Sequence, residues 1–137
     1  MMRLIQLGIN VFAGNDKATI VTDTGVISDD ILRRIDDTTL LVLEANYDPH
    51  MLRFGPYQPF LKQRVASDEG HLSNEMAAQA LLMMKRPDFM QVILAHRSEN
   101  NNNSVLVTQT IGKMLVDGGV RIGPEMKLQH GQPNEIV

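Results

Sequence analysis

Two periods of alternation between hydrophobic and polar residues run along this chain, and the switches between them mark its elements. Leu7, Ile9 and Val11 alternate with Gln6, Gly8 and Asn10, the period-two pattern of a strand with one buried face. A turn at Ala13–Asp16 and a second run from Lys17 to Thr22 predict an opening β-hairpin. Ser28 is a good N-cap, Asp29 and Asp30 suit the first turn, and Ile31, Leu32 and Ile35 supply the buried face of a short helix. Thr39–Glu44 is too apolar for an exposed edge and predicts a central strand.

From Ala66 to Asn103 the chain reads as one loop–helix–strand–loop unit. Gly70 and His71 form the loop, Ser73 caps the helix, and Glu75 lies in its first turn. Ala77, Ala80, Leu81 and Met84 follow the i, i+3, i+4, i+7 stripe. Pro87 stops that helix, and Met90–Ala95 has the length and apolarity of a strand, with His96 just past its carboxyl end. Ser104 is expected to cap a last helix, with Val107, Ile111, Met114 and Leu115 inside and Gly118 and Gly119 at its end. Val120–Ile122 and Met126–Leu128 suggest a final hairpin around Gly123 and Pro124, followed by a polar tail from His130 to Val137 in which His130 is inert. The order is α/β, a mixed sheet whose helices lie on one face.

The stretch from Asn46 to Ser67 differs in character. Tyr47, Phe54, Tyr57 and Phe60 are interspersed with Arg53, Lys62 and Arg64, and no acid occurs between Pro49 and Ala66. Pro56 and Pro59 break it into short helical pieces. Arg53, Lys62 and Arg64 could track a phosphate backbone while the aromatics stack on bases. The plainer alternative packs the aromatics inward and leaves the cations in water.

Composition narrows the function classes. A chain of 137 residues has the size of one domain. The absence of cysteine excludes disulfides and thiolate ligands, so any metal must use His, carboxylate and water, which fits a cytoplasmic protein. No apolar run is long enough to span a membrane, and the N-terminus lacks the apolar core of a signal peptide. The net charge of −3 argues against a generally basic nucleic-acid binder but permits a local basic patch.

A lone histidine is more often a hydrogen-bonded structural residue than a ligand. A third residue changes the reading here: Asp23, like His71 and His96, sits at the end of an element, at the sheet edge where α/β proteins bind ligands. Two histidines and an aspartate are the residue types of a hydrolytic metal site.

Four motifs add a resemblance. TDTG at 22–25, LVLEANYD at 41–48, GHLSN at 70–74 and LAHRSENNN at 94–102 occur in the order seen in metallo-β-lactamase-fold hydrolases. The segment MLRFGPYQPFLKQRVASDEGHLSN is most similar to the YycJ-like (WalJ-like) branch, and the likeness covers nearly the whole chain from about Gly8. The resemblance implies the C-terminal half of an αββα sandwich, a partial domain over 1–137 with a basic and aromatic insertion at 45–68 and a tail at 130–137. It implies that Asp23 bridges two divalent ions, zinc or manganese, in the complete fold. His96 would complete the second ion's shell, and His71 would assist the departing oxygen. The family's His-x-His-x-Asp-His cluster is not in these residues, whose histidines are His50, His71, His96 and His130. Tyr47 stands where that branch is expected to have histidine and receives no metal role.

The implied function is metal-dependent hydrolysis of the phosphodiesterase or exonuclease type, incomplete and inactive in this chain alone. The competing expectation is a non-catalytic nucleic-acid-binding or assembly module derived from the same fold. A β-lactam hydrolase fits less well, because the GHLSN block and basic insertion point to the phosphodiesterase side. Half a sandwich leaves one apolar sheet face uncovered, so the expected partner is a second copy or a separate N-terminal half.

Overall fold

The computed structural model describes residues 9–131. Leu7, at the start of the expected first strand, and the tail residues 132–137 lie outside the described residues. The fold is α/β, one five-stranded mixed sheet with helices, half of a sandwich. The strands are β1 (Ile9–Ala13), β2 (Asp16–Val21), β3 (Leu40–Glu44), β4 (Met90–Ala95) and β5 (Met126–His130), lying side by side in sequence order. β1 and β2 form the antiparallel hairpin, with Ala13 opposite Asp16. The pairs β2–β3, β3–β4 and β4–β5 are all parallel.

Each parallel step needs a crossover, and the helices supply them. α1 (Asp29–Ile35) links β2 to β3, and α5 (Ser104–Asp117) links β4 to β5. Between β3 and β4 run α2 (Pro49–Phe54), α3 (Pro59–Val65) and α4 (Asn74–Met83). The caps are local chemistry: Ser28, Asp48 and Ser73 accept from backbone N–H groups three residues on. At α5 the cap is Asn103 rather than Ser104, because the Asn103 side chain accepts from Leu106 N.

Val21, Leu41, Leu43, Val92 and Leu94 share one sheet face with Met126, and α1, α4 and α5 bury their apolar stripes against it. Each such leucine or valine contributes roughly 1.5–3 kcal/mol by leaving water. Three alanines of α4 (Ala77, Ala78 and Ala80) let that helix lie close to its neighbours and are fully buried. A second, smaller cluster of Tyr47, Leu52, Val65 and Tyr57 anchors α2 and α3 beyond the carboxyl end of β3. The opposite sheet face carries Ile9, Val11, Ile20 and Leu40, which are 63, 58, 38 and 36% exposed.

The expected final hairpin is not formed. β5 runs parallel to β4, with Met90 opposite Met126 and Leu94 opposite His130. Gly123, at φ +106°, makes a tight turn closed by its own N–H on Met126 O, so the local turn pattern was real. The ladder partner of β5 is nevertheless β4, and Ile122 makes only an isolated bridge to Met126. His130 therefore ends a strand, and its Nε2 lies 2.8 Å from Thr108 Oγ1. Burial and the nearby Arg97 guanidinium lower its pKa.

Candidate functional site

Because β2, β3 and β4 are parallel, their carboxyl ends open on the same edge. Asp23 follows β2 by two residues, Glu44 is the last residue of β3, and His96 directly follows β4. His71 arrives at the same edge from the loop before α4. One potential ligand atom from each of Asp23, Glu44, His71 and His96 lies within 4.8 Å of the others.

Two of these residues have an unusual backbone. Asp23 and His96 both have φ of +58°, the left-handed region that costs a non-glycine residue roughly 1–2 kcal/mol. The surroundings hold them there. Asp23 N donates to Glu44 Oε1 at 2.7 Å, and Asn46 Nδ2 donates to His96 O at 2.7 Å. Ser98 N donates back to Asn46 O, so Asn46 clamps the turn that aims His96. Strain concentrated at converging polar side chains is common at functional sites.

His71 is positioned by close backbone approach. Gly25 donates to Asp68 O at 2.9 Å, and a Cβ there would stand 1.7 Å from Ser67 O. No side chain fits between the Asp23 turn and the loop that carries His71. Behind it, Asn74 and Asn102 exchange two side-chain hydrogen bonds of 2.8 and 3.0 Å, and Asn102 also donates to Ala45 O. This buried amide pair ties the start of α4 to the loop before α5 and to the end of β3.

Glu44 is the group that sequence reasoning missed. It ends a run of buried apolar residues and its side chain is fully buried. His71 Nδ1 is 2.5 Å from Glu44 Oε2. His96 Nδ1 is 3.1 Å from Glu44 Oε1, near enough for electrostatic pairing. It is not aligned for a hydrogen bond, however, and remains a buried nitrogen without one. Burial alone would push the Glu44 carboxyl up, but the hydrogen bond to His71 and the neighbouring His96 imidazole hold its pKa below the ordinary value. Glu44 in turn raises the pKa of His96, against the opposing effect of partial burial.

These distances separate the pairs that could share an ion from those that could not. Two donors on one ion, each bonded at 2.0–2.2 Å, sit roughly 3–4 Å apart. Asp23 Oδ1 is 3.8 Å from His96 Nδ1 and 3.8 Å from His71 Nδ1, and both spacings fit. The His71–Glu44 contact of 2.5 Å is too short for two ligands of one ion and is a hydrogen bond. The orphaned His96 nitrogen and the Asp23 carboxylate therefore fit a divalent cation, while Glu44 orients His71. Such carboxylate–imidazole support fixes both tautomer and ring orientation.

Two cavities meet at this cluster. One, of about 460 Å³, is lined by residues including Tyr57, His71, His96 and Arg97. The other, of about 280 Å³, lies against Asp23, Arg64, Gly70 and His71. Of the three cations singled out in the sequence, only Arg64 lines either cavity. The Lys62 ammonium is bonded to Arg53 O at 2.7 Å, and the Arg53 guanidinium lies 5.4 Å from the Phe54 ring centroid. Among the described residues, no helix is long and apolar enough to cross a membrane.

No family model matches the chain. It is 34% identical over 119 residues to the exodeoxyribonuclease YycJ of Bacillus anthracis, an alignment covering 87% of this chain and 45% of that protein. It is also 34% identical over 124 residues to the exodeoxyribonuclease WalJ of Streptococcus pneumoniae, covering 90% of this chain and 46% of that one. The chain thus spans a little under half the length of the curated relatives it matches.

Proposed function

The chain belongs to the YycJ/WalJ-like branch of the metallo-β-lactamase-fold hydrolases, and we propose that it carries part of the active centre of a metal-dependent phosphodiesterase of the exonuclease type. The observation supporting this most directly is the convergence of Asp23, Glu44, His71 and His96 at one strand edge. Asp23 and His96 would hold a divalent ion, zinc or manganese by donor chemistry. When bound, such an ion supplies hydroxide near neutral pH and withdraws charge from the phosphoryl oxygens.

The chain's own groups account for the other half of the reaction. Glu44 occupies Nδ1 of His71, which leaves Nε2 to meet the substrate. In its protonated form His71 passes the Nε2 proton to the departing oxygen as the P–O bond breaks and ends neutral, still held by Glu44. Asp23 accepts no hydrogen bond from either imidazole, so its carboxylate oxygens stay available for the cation. Arg64, beside Asp23 and His71, steadies a neighbouring phosphate of the strand, and Arg53 and Lys62 extend the positive surface along α2 and α3.

A catalytic zinc ordinarily takes three protein ligands, and Asp23 with His96 makes two. The remaining ligands would come from the other half of the fold, packed on the exposed face of Ile9, Val11, Ile20 and Leu40. The isolated chain is then a weak metal binder with little or no turnover.

Native mass spectrometry with zinc or manganese, paired with hydrolysis of bis-p-nitrophenyl phosphate, tests this. Metal bound by the wild type and lost in Asp23→Ala supports the reading, as does turnover that disappears in the same variant. Metal-independent DNA binding without any metal uptake would instead favour a non-catalytic module.

A further inference from the structure

Among the described residues the arginines are nearly all engaged. Arg33, Arg34 and Arg121 pair with carboxylates, Arg86 donates to Leu81 O, and Arg53 lies over Phe54. Arg64 and Arg97 are left with no ion pair or hydrogen bond, and these two line the cavities on either side of His71. Arg97 is the more telling, because it is half-buried. A partly desolvated guanidinium without an anion is an unfavourable arrangement, and it directly follows His96 in sequence. Glu99, on the rim of the same cavity, is exposed and forms no ion pair with it.

The same cavity is also lined by an aromatic side chain, Tyr57. Tyr57 packs against Tyr47, Leu52 and Val65, so its ring is held in place by the second core. At about 460 Å³ the cavity is in the range that encloses a small organic ligand, whereas the Arg64 cavity, at about 280 Å³, offers less room.

We infer that the Arg97 cavity is a nucleotide subsite, in which the guanidinium takes the phosphate and Tyr57 stacks on the base of a single nucleotide at the end of the strand. The inference rests on the phosphodiesterase reading above and specifies where its leaving nucleotide sits. A planar fork of donors suits a phosphate, and a fixed aromatic face accepts any base without reading its identity. The subsite therefore discriminates nucleotide from phosphate but only weakly between bases.

The test is calorimetric titration of the 137-residue chain, in chelator, with thymidine 5′-monophosphate, thymidine and inorganic phosphate. The monophosphate should bind more tightly than either part. Arg97→Gln should weaken it by about tenfold or more, the value of one charged hydrogen bond, and leave thymidine unchanged. Tyr57→Leu should weaken the monophosphate and thymidine but not phosphate. Melting curves of both variants identify any loss that comes from unfolding, and Arg97→Lys, which keeps the charge, should recover part of the affinity.

Equal binding of phosphate and monophosphate, or an Arg97→Gln variant within twofold of wild type, overturns the subsite. Because no metal is present, the two readings fail separately. Nucleotide binding that depends on Arg97 in a chain that takes up no metal keeps the subsite and removes the hydrolase. Metal-dependent turnover with normal binding in Arg97→Gln does the reverse.

Discussion

Replacing Glu44 with glutamine tests the centre of the site without changing its shape. The amide can keep one carbonyl oxygen for Asp23 N–H, now 2.7 Å from the carboxylate, but then presents an N–H donor to His71 Nδ1. That imidazole must switch tautomer or lose its partner, and His96 loses the carboxylate 3.1 Å from its Nδ1. Hydrogen bonds to charged groups contribute about 1.5–3 kcal/mol each. One such bond lost, one weakened and an ion pair removed amount to about 3 kcal/mol, below the 3–5 kcal/mol of a fully broken buried pair. For a domain of this size that lowers Tm by about 10 °C.

The assay is thermal unfolding by circular dichroism in chelator, from pH 4 to 8, so that only the protein's own groups titrate. Glu44 is held below its ordinary 4.5 in the fold, so its contribution is present above that value and lost as pH falls through its folded pKa. His96 is held above its ordinary 6.5, so its contribution is present below that value and lost as pH rises through its folded pKa. The gap between wild type and Glu44→Gln should be widest between those two values and narrow on both sides. A gap under about 1 kcal/mol at pH 6, or one that is flat across the range, would refute the claim that Glu44 is an ionised hub.

Three further outcomes follow from the same geometry. Gly25→Ala drives a Cβ to 1.7 Å from Ser67 O; it should destabilise the chain by about 3 kcal/mol and displace His71, seen as a loss of the His71 ring contacts by NMR. Asn102→Ala strands the fully buried Asn74 amide and should cost about 2–4 kcal/mol in urea unfolding. The double variant Asn74→Leu with Asn102→Leu should cost less than the sum of the two single leucine changes. Charging the open face with Val11→Lys and Ile20→Lys should leave the melting temperature within a few degrees, since both side chains are exposed, while abolishing any dimer detected by light scattering. Unchanged self-association would mean that this face is not where a second half docks.

How much of this could be read in the chain depends on how local each determinant is. The hairpin, the serine caps of α1 and α4, the limits of β4 and the two short helices between Pro49 and Val65 are set by side chains acting on backbone a few residues away, so pattern alone located them. Asp23, His71 and His96 were legible as candidates because polar residues at the ends of apolar runs are conspicuous. The three cations of the 45–68 segment carried the same composition signal, yet only Arg64 reaches a cavity at the site; helix direction decides that, and composition is blind to it. Glu44 did leave a trace, as a charge closing an otherwise apolar central strand.

Tertiary structure decided the rest. The partner of β5 is set by α5, which carries the chain across to β4, so the turn at Gly123 could not reveal whether its flanks pair with each other. The left-handed backbone of Asp23 and His96 persists because Glu44, at the end of β3, and Asn46, just beyond it, bond it from 21 and 50 residues away in sequence. Sequence determined which groups the chain carries and which segments are strand or helix, because those preferences act within a turn or two of backbone. Only the folded sheet determined that three parallel strands end at one edge, bringing two carboxylates and two imidazoles within 4.8 Å and leaving Arg97 beside them without an anion.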